Sequence, residues 1–146
     1  MAKLTQIADG MFVAGQIAPE EVAGLAAQGI RTIINNRPDG EEPGQPSAAE
    51  VRKEAEKAGL AYTQIPVTTG SIGPADVAAM DRAISESAGP VLAHCRSGTR
   101  SYLLWAAAQV ANGGASAPEI VARGAAQGFD LSALPMLVAK LGGGGR

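Results

Sequence analysis

Residues 91–101, Val-Leu-Ala-His-Cys-Arg-Ser-Gly-Thr-Arg-Ser, constrain this chain more than any other stretch. Val91, Leu92 and Ala93 form a short apolar run that reads as a buried strand. The only cysteine, Cys95, stands at its end, and an unbroken helical pattern begins at Ser101 with Tyr102, Leu103, Leu104 and Trp105. The thiol is therefore expected in a tight loop between a strand and a helix N-terminus. The first amides of a helix lack intrahelical partners, and with the helix dipole they form an anion site. A thiol placed there is biased toward its nucleophilic thiolate. Arg100 and Arg96 add positive charge, and a guanidinium fork matches an oxyanion through two parallel hydrogen bonds. Gly98 lets the backbone turn where a side chain would block a ligand. A single cysteine taken alone reads as a small buried hydrophobe. The ordered run of strand, thiol, glycine loop, arginine and helix points instead to a nucleophile in an anion cradle.

The rest of the chain supplies a scaffold for that loop. Lys3–Ile7 and Met11–Ala14 read as strands around Asp9-Gly10, and Arg31–Asn35, Ala61–Val67 and the Cys95 strand follow. Helices are expected after Pro19, from Ala48 to Ala58, from Gly73 to about Ser87, from Ser101, after Ser116, and from a cap at Asp130 to about Leu141. Ser47 with Glu50, and Ser116 with Glu119, have capping-box spacing. Strands alternating with helices imply βαβ units and a mostly parallel sheet. Ligands of such sheets bind beyond the carboxyl ends of the strands. The loops Asn36–Pro46, Thr68–Gly73 and Cys95–Arg100 are therefore expected to meet at one face.

The 146 residues suit one domain, taken as residues 1–141, with a tail at 142–146 expected to be disordered. Aromatic residues make up 3% of the chain, so the core must be aliphatic. A net charge of −2 offers no basic footprint for nucleic acid or an anionic membrane. One cysteine and one histidine leave no disulfide framework and no expected metal site, and no cofactor is expected. The first residues lack a signal-peptide apolar core, so a cytoplasmic location is expected.

His94-Cys95-Arg96-Ser97-Gly98-Thr99-Arg100-Ser101 resembles the active-site loops of two families. Cysteine phosphatases carry His-Cys-x5-Arg, and rhodanese sulfurtransferases commonly carry Cys-x4-Arg. The spacing here is that of the second, while the preceding histidine and general layout are those of the first. The mixture, together with Asn36-Arg37-Pro38-Asp39-Gly40-Glu41-Glu42-Pro43-Gly44-Gln45-Pro46, resembles the beta-lactamase-hydrolase-like, phosphatase-like family, also labelled a sulfur transferase family. The resemblance covers roughly residues 3–141 and implies a cysteine-phosphatase-like three-layer α/β fold. It implies Cys95 as nucleophile, Arg100 as anion clamp, and Arg96, Ser97, Gly98, Thr99 and Ser101 as the loop around the substrate. It also gives Ser101 a hydrogen bond to the cysteine sulfur, besides the helix cap its position suggests. His94 is expected either as a satisfied structural histidine or as a brace for the loop. Arg37 is either a solvated charge or a second anion contact. Asp39 is a turn residue in Pro-Asp-Gly or an acid at the active face.

One absence separates the two chemistries. Phosphatases of this layout place an aspartic acid about thirty residues before the cysteine, where it protonates the leaving group. Here Ile65–Gly73 contains no carboxylate. Losing such a proton donor typically removes a factor of about 10² to 10⁴ in rate, whereas sulfur transfer does not need it. The leading expectation is a rhodanese-like sulfurtransferase moving sulfane sulfur through a Cys95 persulfide. The alternative is a phosphatase working through a Cys95 phosphocysteine, with Asp39 as replacement acid. A non-catalytic anion or persulfide-binding module is the third. The substrate would be a small anion: thiosulfate, a persulfide or a phosphoester. The resemblance suggests a setting alongside persulfide dioxygenases or sulfide-oxidising enzymes.

Overall fold

Five short strands form a single sheet in the computed structural model, which describes residues 2–141. They are β1 (Thr5–Ala8), β2 (Met11–Ala14), β3 (Thr32–Asn35), β4 (Ala61–Gln64) and β5 (Val91–His94). Their spatial order is β1-β2-β5-β3-β4, with β1 antiparallel to β2 and the other pairs parallel. The last strand in sequence is thus the central one. Leu92 sits opposite Phe12 on one side and Ile33 on the other. The expected tail at 142–146 lies outside the described residues.

The helices are α1 (Val22–Ala27), α2 (Ala48–Lys57), α3 (Pro74–Ser85), α4 (Thr99–Ala111), α5 (Ala117–Ala126) and α6 (Leu134–Lys140). They cover both faces of the sheet. Alternate strand residues point to opposite faces, and β5 shows the result. Leu92 packs with Ile33, Val22, Leu25, Val51 and Ala55 beneath α1 and α2. Val91 and Ala93 join Ile34, Met80, Leu103 and Leu134 beneath α3, α4 and α6. A parallel strand buried on both faces must be apolar throughout, which is why Val91-Leu92-Ala93 shows no alternation. Helix α4 is buried from Ser101 to Ala108, Tyr102 and Trp105 included, as expected of core packing.

The capping boxes form as their spacing predicts. Ser47 Oγ accepts from the Glu50 amide at 3.2 Å and Ser116 Oγ from the Glu119 amide at 3.3 Å, each glutamate reaching back to the serine amide. Two expectations need correction. The segment after Pro19 makes a 3₁₀ turn before α1 begins at Val22. Asp130 caps no helix: its Oδ1 accepts from the Ser132 amide at 3.0 Å in a local turn, and α6 starts only at Leu134.

Candidate active site

The Cys95 loop is clamped from below. The Cys95 amide donates to the Ala14 carbonyl, and the Arg96 carbonyl accepts from the Gln16 amide at 3.2 Å. A Cβ on Gly15 would lie 2.9 Å from that Arg96 carbonyl, so the close approach of the two backbones requires glycine there. Gly98 caps α4 at φ +96, and a Cβ on it would meet Phe129 at 3.0 Å. This left-handed residue aims its amide inward: Gly98 N donates to Cys95 Sγ at 3.1 Å. Cys95 is a free cysteine with no exposed surface. Arg96 and Ser97 form the exposed crest of the loop, where Ser97 Oγ donates to Thr99 Oγ1 at 3.3 Å.

The three loops expected at one face do meet, and Arg100 joins them. Its Nη1 donates to the Val67 carbonyl at 2.9 Å, at the entrance to the Thr68–Gly73 loop. Its two terminal nitrogens grip both carboxylate oxygens of Glu41, from the Asn36–Pro46 loop, at 2.7 and 2.9 Å. Glu41 also accepts from Arg37 Nε at 2.8 Å. These contacts, Arg100 first and Arg37 behind it, hold the Glu41 carboxyl down at about 2 against the opposing effect of burial. Glu41 and the nearby Cys95 sulfur in turn raise the Arg100 guanidinium.

Several expected roles change in this geometry. Arg37 is neither solvated nor free for an anion. It is 1% exposed, and its guanidinium is taken up by Glu41, Glu42 and Gln16. Asp39 faces helix α2, where its Oδ1 accepts from the Ala48 amide at 2.8 Å, a contact that neither the turn nor the acid reading named. Ser101 is fully buried in the first turn of α4, which begins at Thr99 after Gly98, and its hydroxyl donates to Asn36 Oδ1 at 2.7 Å, so it neither caps the helix nor bonds the sulfur. His94 is buried without being satisfied: neither ring nitrogen has a hydrogen-bond partner among the described residues. Burial lowers its pKa to about 4, with the Cys95 backbone pulling back and Arg37 adding to the drop.

Glu41 is the residue that sequence reasoning missed. Its only signal was a carboxylate in the loop after β3, next to the singled-out Asp39, and nothing local ranked one above the other. Among the described residues, no group of three or more histidines, cysteines, aspartates or glutamates is placed to hold a metal. No described helix is long and apolar enough to cross a membrane.

Comparison with known proteins agrees with this architecture. Residues 3–113 match the family described as beta-lactamase hydrolase-like protein, phosphatase-like domain. The chain belongs to this family. The phosphatase-like domain is 44% identical over 129 residues to a beta-lactamase hydrolase-like protein of Xylella fastidiosa strain Temecula1, covering 88% of this chain. It spans only 30% of that relative's length. Among solved structures it resembles a candidate phosphatase of Neisseria meningitidis Z2491, at TM-score 0.80 and 35% identity over 92% of this chain and 94% of the other. The catalytic domain of the PP-IP phosphatase SIW14 of S. cerevisiae has the same fold, at TM-score 0.68 and 17% identity over 91% and 83% of the two chains. The fold is therefore cysteine-phosphatase-like, and the Cys95 loop stands beyond the carboxyl ends of the parallel strands, the face where ligands of open α/β sheets bind.

Proposed function

We propose that this phosphatase-like domain hydrolyses phosphomonoesters through a phosphocysteine at Cys95. The observation that carries the reading is the Arg100 fork, which already grips a two-oxygen anion, the Glu41 carboxylate, beside the Cys95 loop. A phosphoryl group offers the same pair of oxygens with more charge. The Thr99, Arg100 and Ser101 amides open helix α4 without intrahelical partners and would cradle the remaining oxygen. Cys95 would attack phosphorus and expel the alcohol as the P–O bond breaks, and water would then cleave the S–P bond to release phosphate. Similarity to a candidate phosphatase and the shared fold support this reading over sulfur transfer. A reducing cytoplasm, which keeps a lone thiol free, fits the same chemistry.

One observation still favours sulfur transfer, the expectation that led on sequence alone. Only four residues separate Cys95 from Arg100, a ring better sized for one sulfur atom. Persulfide formation would need only the thiolate and a sulfane donor such as thiosulfate. Parallel assays with an aryl phosphate and with thiosulfate plus cyanide, on wild type and Cys95→Ser, decide between them. Cys95-dependent phosphate release with a trapped phosphocysteine is the expected result. Thiocyanate formation in its place would install the sulfurtransferase, and activity in neither assay would leave an anion-binding module.

A further inference from the structure

Resting on that reading, we propose that Glu41 is the proton donor to the leaving group, delivered when the phosphoryl group displaces its carboxylate from Arg100. The ordinary position for such an acid, the loop up to Gly73, contains no carboxylate, and Asp39 is committed to the Ala48 amide. Glu41 is the carboxylate that does reach the site, 59 residues from Arg100 in sequence and bonded to it through both oxygens.

The two oxygens are not equivalent. Oε1 is shared between Arg37 Nε and Arg100 Nη2, whereas Oε2 has Arg100 Nη1 as its partner among the described residues. A phosphoryl dianion that takes the Arg100 fork leaves Oε1 tethered to Arg37 and sets Oε2 free. Arg37 is itself held by Glu42 and Gln16, so the tether is firm. The charged groups around the released carboxylate are then Arg37, the neighbouring Glu42, which itself faces Arg96 of the loop crest, and the bound dianion on Arg100 and Cys95. Loss of the Arg100 contact and the approach of like charge both favour the protonated acid. The carboxylate that Arg100 holds fully ionised in the free protein thus takes a proton from solvent as the substrate enters.

The step balances without another reactant. The Cys95 thiolate forms the S–P bond, the P–O bond to the leaving group breaks, and that oxygen takes the proton from Glu41 Oε2. In the second half, Glu41 as carboxylate removes a proton from the attacking water, the S–P bond breaks, and phosphate leaves. Glu41 then gives that proton to solvent and returns to Arg100 as the carboxylate.

The test is Glu41→Gln on two phosphomonoesters, p-nitrophenyl phosphate with a good leaving group and a simple alkyl phosphate with a poor one. The expected result is a loss of about 10²-fold or more in kcat/KM on the alkyl ester, against less than about threefold on the aryl ester. Thermal melts confirm that the variant is folded. In parallel, titration calorimetry with vanadate in two buffers of different protonation enthalpy should show proton uptake by wild type and none by Glu41→Gln. An equal loss on both esters, or no loss on either, overturns the donor role while leaving the phosphatase reading in place. A wild type inert toward both esters removes the phosphatase reading and the donor role with it. Equal proton uptake by both proteins overturns the displacement from Arg100.

Discussion

Arg100 does two things at once: it grips both oxygens of the Glu41 carboxylate and it holds the Val67 carbonyl. A lysine can neutralise charge but cannot meet two carboxylate oxygens and a carbonyl from one plane. Arg100→Lys is therefore expected to lose about 10²-fold or more in kcat/KM with little change in melting temperature; near-normal turnover would remove Arg100 from the site. Gly98, like Gly15, has no substitute. Its φ of +96, and a Phe129 ring 3.0 Å from where a Cβ would stand, leave no room for alanine. Gly98→Ala should cost about 1–2 kcal/mol in denaturant unfolding, and it should weaken anion protection of Cys95 against alkylation, because the Gly98 amide that faces the sulfur would turn away.

At the scale of elements, caps and loops behave differently as signals. Capping boxes are legible because donor and acceptor lie three residues apart, so Ser47 and Ser116 announced α2 and α5 correctly. Ser47→Ala should cost about 1 kcal/mol, read as a shift in the unfolding midpoint. Asp130 was misleading for a related reason. An aspartate that bonds an amide two residues on makes a turn, one that bonds an amide opening a helix makes a cap, and the local sequence is similar for both. The Cys95 loop was legible because strand, thiol, glycine and helix are contiguous. Glu41 was not, since its role depends on a loop crossing to a helix 59 residues away. Asp39 marks the boundary between the two cases. Its place in the loop beyond β3 was legible, and its contact with the Ala48 amide was not. Asp39→Asn is accordingly expected to loosen the start of α2 modestly while leaving the ratio of rates on good and poor leaving groups unchanged, the opposite of Glu41→Gln.

Across the whole molecule, the buried and unpartnered His94 ties stability to pH. Its pKa falls from 6.5 to about 4 on folding. Between those values the unfolded chain binds the proton and the folded one does not. Stability is therefore complete above about pH 6.5 and declines as pH falls toward 4. The shift corresponds to roughly 3 kcal/mol at about 1.4 kcal/mol per pH unit. Unfolding free energies measured at pH 7 and pH 4.5 should differ by less in His94→Gln than in wild type, even if the variant is weaker at both. Glu41 adds to the decline at lower pH. Its depressed carboxyl stabilises the fold above the ordinary glutamate range, and that contribution fades as pH falls toward 2.

The position of β5 also bears on how the chain is made. Residues 2–90 can form two separate strand pairs, β1 with β2 and β3 with β4, and no ladder joins the pairs until β5 takes its place between β2 and β3. The strand that closes the sheet is the same one that carries Cys95. A nascent chain released before about residue 100 should remain protease-sensitive, and resistance should appear in one step once β5 and α4 have left the ribosome. The Cys95 thiol therefore emerges almost together with the strand whose closure of the sheet buries it.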